Sequence, residues 1–129
     1  MTPSQATRAI LRGWEQADPE AIAVLFADDG IFDDPLQPQR RIGPAAIREA
    51  CASGIAAIRN CRIPIRHLIE SGNLAVAEGE FLSELASTGQ RFDFPFMLIL
   101  EMKDGKVIRL AEYFDTQPLT RPPEKLAPV

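Results

Sequence analysis

Residues 92–115 read FDFPFMLILEMKDGKVIRLAEYFD, two long apolar-rich runs joined by Lys103-Asp104-Gly105-Lys106. The Asp-Gly pair accepts the positive φ angles that a tight hairpin turn requires, so the runs pair antiparallel. The first, Phe92 to Met102, is almost uninterrupted in apolar residues and reads as a strand buried on both sides. The second, Val107 to Asp115, alternates. Ile108, Leu110, Glu112 and Phe114 share one face; Arg109, Ala111, Tyr113 and Asp115 share the other.

The same pattern continues upstream. Ser87-Thr88-Gly89-Gln90 turns back a strand over Leu74 to Leu85, and Ser71-Gly72-Asn73 turns back another over Arg62 to Glu70. In the latter, Ile63, Ile65, His67 and Ile69 fall on one side, which predicts an inward histidine. The first half of the chain is helical instead. Residues 3–17 begin with Pro3 after Thr2 and place Ala6, Ile10, Leu11 and Trp14 on one face. Asp18-Pro19-Glu20 starts a second helix, carrying Ile22, Leu25 and Phe26 to the turn at Asp28-Asp29-Gly30. A short strand, Ile31 to Asp34, ends at Pro35, and Leu36 to Arg41 form a loop. Gly43-Pro44 opens an alanine-rich helix from Ala45 to about Ile58, with Ser53-Gly54 inside it. Helices first and a meander afterwards give an α+β fold, three helices packed on one curved antiparallel sheet around a single apolar interior. One domain over residues 1–118 is expected, with an extended Pro-rich tail at 119–129.

Composition narrows the function. The chain has 129 residues, 46% hydrophobic and 25% charged, and 14 basic against 18 acidic residues give a net charge of −4. That balance argues against a nucleic-acid partner. No apolar run is long enough to span a membrane, and residues 1–10 lack the pattern of a secretory signal. Cys51 and Cys61 match no zinc or redox spacing and read as small hydrophobes in a reducing, cytoplasmic setting. His67 is the single histidine, so a multi-histidine metal site is impossible within one chain. Phosphate loops and nucleophile elbows are absent as motifs. Neither a metal nor a cofactor is expected.

Three side chains are candidates for chemistry. Asp34 follows Ile31 and Phe32 where a strand meets a loop, and a carboxylate beside large apolar groups gains basicity. Ordinary Asp-Pro turn chemistry is the plainer account of the same residue. Glu112 lies on the more apolar face of the last strand and must be paired, protonated or lining a cavity. His67, on its isoleucine face, is a third candidate, although a lone inward histidine is more often a satisfied core group. Trp14, Leu36, Phe81 and Met97 are expected to shape an apolar pocket. Arg40-Arg41 and Arg62/Arg66 read as solvated charges.

Several segments resemble the nuclear transport factor 2-like, or SnoaL-like, superfamily. They are Asp18 to Phe26 with Ala27-Asp28-Asp29-Gly30-Ile31-Phe32-Asp33-Asp34-Pro35, then Ile42-Gly43-Pro44-Ala45-Ala46-Ile47, and the ending from Asp104 to Asp115. The resemblance runs from about Ala6 to Pro118. It implies a cone-shaped, cystatin-like α+β barrel with a pocket inside, and a homodimer formed through the outer sheet face. Within the superfamily, Asp34 before Pro35 is similar to the position of the ketosteroid isomerase base. The two oxyanion donors of that enzyme, a tyrosine and a protonated aspartic acid, fall at Ile10 and near Met97 and are absent. The Arg-x-Asp pair of limonene epoxide hydrolase falls at Gly79 and Phe81 and is also absent, while its other aspartate falls at Glu112. SnoaL-type polyketide cyclases also use a pocket carboxylate, a role that Glu112 with His67 resembles.

The expectation is a pocket protein for a small hydrophobic molecule. As an enzyme it would be a cofactor-independent isomerase or cyclase, with Asp34 as base and Glu112 and His67 positioning substrate or donating a proton. The alternatives are a non-catalytic ligand-binding or structural module and, third, an epoxide hydrolase-like activity.

Overall fold

The N-terminal sequence caps its own helix. Thr2 Oγ1 accepts from the Gln5 amide at 3.1 Å and Gln5 Oε1 accepts from the Thr2 amide at 2.9 Å, with Pro3 at the first helical position. The computed structural model, which describes residues 1–116, thus opens with α1, Pro3–Glu15, burying Ala6, Thr7, Ile10 and Leu11. Asp18 caps the short α2, Pro19–Ala23, by accepting from the Ala21 amide at 3.1 Å. That helix is shorter than the sequence suggests, because Phe26 already pairs with Val107 in the sheet.

The remaining elements are β1 (Phe26–Asp33), β2 (Arg41–Ile42), α3 (Pro44–Ala56), β3 (Ile58–Arg62), β4 (Ile65–Ser71), β5 (Leu74–Leu85), β6 (Phe94–Lys103) and β7 (Lys106–Tyr113). Their order in the sheet is β2-β1-β7-β6-β5-β3, with β4 also on β5. The long β5 is shared: Leu74 to Gly79 pair with β4, and Leu82 to Leu85 pair with β3. The expected meander is antiparallel, and β1 joins its far edge in parallel with β7. Such a pairing needs a long crossover, and here α3 and the meander supply it. The sheet curls strongly around the helices into a half-barrel, consistent with the expected cone-shaped α+β fold, although the β1–β7 pairing makes it mixed and not wholly antiparallel. Ile10, Ile22, Ile47, Leu100 and Val107 fill the core at 1% exposure or less. No helix among the described residues is long and apolar enough to cross a membrane.

Three details position the interior. Gly54 lies inside α3 because the Trp14 indole packs on the helix there: a Cβ at Gly54 would meet Trp14 Cη2 at 2.7 Å. On β4 a bulge between Ile65 and His67 inserts an extra residue against β5, with Gly79 pressed on the carbonyl of Pro64. The bulge swaps faces. Ile63, Ile65 and Leu68 pack inward, whereas Ile69 is 63% exposed. On β6, Phe96, Leu98, Leu100 and Met102 are buried but Pro95 and Met97 are exposed, so this strand is buried on one face within the chain. The domain boundary at 118 and the tail 119–129 lie outside the described residues.

Candidate active site

Inside the curl is a cavity of about 310 Å³. Its walls come from α1 (Ile10, Leu11, Trp14), the end of β1 (Phe32, Asp34), α3 (Ser53, Gly54) and the inner faces of β5 to β7. An aromatic belt crosses it. Trp14 meets Phe81 edge-on at 6.0 Å between centroids, Phe81 stacks on Phe94 at 4.8 Å, and Phe94 tilts onto Phe114 at 4.6 Å. Phe81 and Phe94 face each other across the β5–β6 ladder, which is why the belt is continuous.

Two carboxyl groups enter this apolar space. Asp34 comes two residues after the buried Phe32 and so keeps the inward side of the strand. Its Oδ1 accepts from the Leu36 amide at 2.7 Å, and its carbonyl accepts from the Gln37 amide at 3.1 Å, a turn that Pro35 favours. Burial pushes the Asp34 carboxyl above its ordinary value; the Leu36 amide and the charge of Arg41 pull the other way. Glu112 stands opposite Leu98 on the inner face of β7. It makes no hydrogen bond or ion pair to any described residue. Burial, and then the negative charge of Asp34, push it up to about 8. Both carboxyls also act on Cys51, buried on α3, whose thiol rises to about 12, chiefly through burial. Cys61 rises to about 11 for the same main reason, so both thiols are protonated hydrophobes, as their spacing suggested.

Trp14, Leu36 and Phe81 line the cavity. His67 and Met97 do not. The β4 bulge turns His67 outward, where its side chain is 64% exposed and its Nδ1 lies 2.8 Å from Glu78 Oε1. Met97 is 48% exposed on the outer face beside Tyr113, and its inward neighbour Leu98 lines the cavity instead. The sequence reading also missed three polar residues, Gln37, Arg41 and Ser53. Arg41 is the partner of Phe32 in a two-residue strand, too short to leave a pattern, and joins the cavity lining rather than open solvent. Among the described residues, no group of three or more His, Cys, Asp or Glu is placed to hold a metal ion.

Residues 7–110 match the SnoaL-like domain family. The chain belongs to that family. Within the SnoaL-like fold, TerC co-crystallised with polyporic acid is 25% identical, with a TM-score of 0.77 over 92% of this chain and 95% of that one. A protein with a ketosteroid isomerase-like fold from Catenulispora acidiphila, in complex with trimethylamine, is 22% identical over 89% and 88%, with a TM-score of 0.79. A candidate polyketide cyclase from Xanthomonas campestris pv. campestris is 19% identical over 91% and 93%, with a TM-score of 0.77. The last two are likenesses of fold. No curated protein matches the chain.

Proposed function

We propose that this SnoaL-like protein is a cofactor-independent isomerase or cyclase for a small, apolar, ring-bearing carbonyl compound. One observation carries the reading: Asp34 and Glu112 share one aromatic cavity, and Glu112 has no basic partner among the described residues. Two carboxyls in one apolar site do not both ionise at neutral pH, and their surroundings decide which keeps the proton. Asp34 has an amide and a nearby guanidinium favouring its anion. Glu112, at about 8, keeps its proton.

The roles follow. Asp34 takes a proton from the carbon next to the carbonyl. The electron pair moves into the carbon–carbon bond, and the carbonyl oxygen becomes an enol by accepting the proton of Glu112. In a β,γ-unsaturated ketone, Asp34 returns the first proton to the γ-carbon while the enol oxygen gives its proton back to Glu112, which re-forms the carbonyl and isomerises the molecule. In a dicarbonyl compound the enol carbon attacks the second carbonyl, whose oxygen takes the proton held by Asp34 as the enol oxygen returns its own to Glu112, which closes a ring. His67, on the outer face, is outside this scheme. The cyclase and polyporic acid neighbours agree with a cyclic, oxygenated ligand.

The test is deuterium uptake at the α-carbon of cyclic aromatic ketones in D₂O, followed by NMR. Wild type should catalyse it, and Asp34→Asn should lose it while keeping its circular dichroism. Equal exchange by wild type and Asp34→Asn would overturn the reading. A ligand that co-purifies and elutes unchanged, without exchange activity, would favour a binding module instead. An epoxide-opening reaction is disfavoured by Gly79, where the carbonyl of Pro64 leaves no room for a side chain. We also propose that the chain forms a homodimer through its outer sheet face, where Ile69, Met97 and Tyr113 are 63%, 48% and 57% exposed. Met97→Lys should shift the light-scattering mass from dimer to monomer; a wild type that scatters as a monomer would reject this.

A further inference from the structure

We infer that the molecule bound in this cavity carries an anionic group, such as a carboxylate, seated on Arg41, with its apolar body against the aromatic belt. The inference deepens the proposed function and rests on it for the fate of the bound molecule, though not for the binding itself.

The argument starts from pairing. Arg40, Arg48, Arg59, Arg66, Arg91 and Arg109 each lie within 4.0 Å of a carboxylate oxygen. Arg8, Arg12, Arg41 and Arg62 have no carboxylate oxygen within that distance among the described residues, and of these four Arg41 alone is half-buried and lines the cavity, where its charge acts on Asp34 without a direct pair. A guanidinium has five N–H donors in a planar fork. At Arg41 the one contact is from Nη2 to Gln37 Oε1, at 2.9 Å. The other donors remain for water or a ligand, and the fork suits the two oxygens of a carboxylate.

Gln37 makes the seat a built one. Its side chain orients Arg41, while its amide donates to the carbonyl of Asp34 at 3.1 Å. One residue therefore ties the cation to the base, and both belong to the cavity lining. The belt of Trp14, Phe81, Phe94 and Phe114 supplies the apolar wall. A neutral hydrocarbon ligand would leave the charge of Arg41 to water. An aromatic or alicyclic acid satisfies the wall and the charge together. Its anion would also cancel part of the positive field that favours ionised Asp34, so a seated acidic ligand would add to the proton affinity that burial already gives the base.

Trp14 is the sole tryptophan and lines the cavity, so its emission reports occupancy directly. The probes are phenylbutyrate and its neutral isostere phenylbutyramide. Wild type should bind the carboxylate about tenfold more tightly than the amide, the scale of a charge-assisted hydrogen bond. Arg41→Gln should erase the preference, the carboxylate losing about tenfold more affinity than the amide does. Arg41→Lys should retain part of it, and Arg40→Gln, which loses only a surface pair with Asp33, should retain all of it. Equal affinity of wild type for both probes, or a preference that survives in Arg41→Gln, would overturn the inference. The ketone exchange assay separates the two proposals. Selectivity without exchange leaves the anion seat and removes the acid–base chemistry; exchange without selectivity does the reverse.

Discussion

The two faces of the curled sheet treat the same side chains in opposite ways. On the outer face the carboxylates are paired: Asp33 with Arg40 and Arg109, Glu78 with His67, and Glu84 with Arg59 and Arg91. Hydrogen bonds from Arg59 and Asn60 hold the Glu84 carboxyl below its ordinary value. On the inner face Glu112 has no partner and is pushed up to about 8. Asp33 and Asp34 are adjacent in sequence and divide the same way, one into an arginine cluster and one into the cavity. A pleated strand needs only a single step to make that division. A carboxyl inside is available for proton transfer; a carboxyl outside serves solubility and pairing.

The largest expected effect tests the inner face directly. Asp34→Asn should slow ketone exchange by about a hundredfold or more, the usual scale for a general base. Glu112→Gln should slow it less, since a neutral amide still donates a hydrogen bond to the developing enolate.

Stability gives the next contrast. Folded Glu112 releases its proton near 8 and the unfolded chain near 4.5. Below 4.5 both states hold the proton. Between 4.5 and 8 only the folded state does, so stability falls as pH rises through this window. Glu112→Gln should remove that fall and stabilise the protein by about 1–3 kcal/mol at the upper end of the window, measured by urea unfolding. A wild-type stability that is flat from 4.5 to 8 would contradict the buried, unpaired glutamate. Asp34→Asn should bring the Glu112 titration down in a carboxyl-carbon NMR experiment, because it removes the second cause of the shift. An unmoved resonance would separate the two groups.

Gly54→Ala probes the wall. The added methyl would meet the rigid Trp14 indole, so overpacking of about 1–3 kcal/mol is set against a gain of about 1 kcal/mol in helix propensity. A net loss of stability with weaker ligand quenching of Trp14 is expected; a net gain would mean that the indole moves freely. The smallest effect belongs to the outer face. His67→Asn should leave ketone exchange within about twofold, as for other exposed pairs remote from the chemistry. A larger loss would return the histidine to the mechanism.

Much of this was legible beforehand. The Asp104-Gly105 turn set the β6–β7 pairing as far as Val107, a bulge at Ile108 shifts it, and the alternation beyond the bulge put Glu112 with Leu110 and Phe114 on the inner face. Asp34 was marked by Phe32 before it and Pro35 after it. His67 was misread because a bulge is a one-residue event that leaves the isoleucine spacing intact while exchanging the faces. Met97 was misread because an apolar run does not reveal whether a strand has one covered face or two. Arg41 looked like half of a solvated pair, and the contact that separates it from Arg40 is its pairing with Phe32 through a two-residue strand.

Local sequence determined what short-range physics can determine: helix caps at Thr2 and Asp18, turns at Gly72 and Gly105, and the period-two faces of the unbulged strands. The tertiary structure alone decided the proton affinities and the company of the charged groups. Asp34, Arg41 and Glu112 lie on three different elements or their ends, and the energy of each depends on solvent removed by side chains far away in the chain. Desolvation and charge coupling act through space, so they exist only once the sheet has curled over the helices.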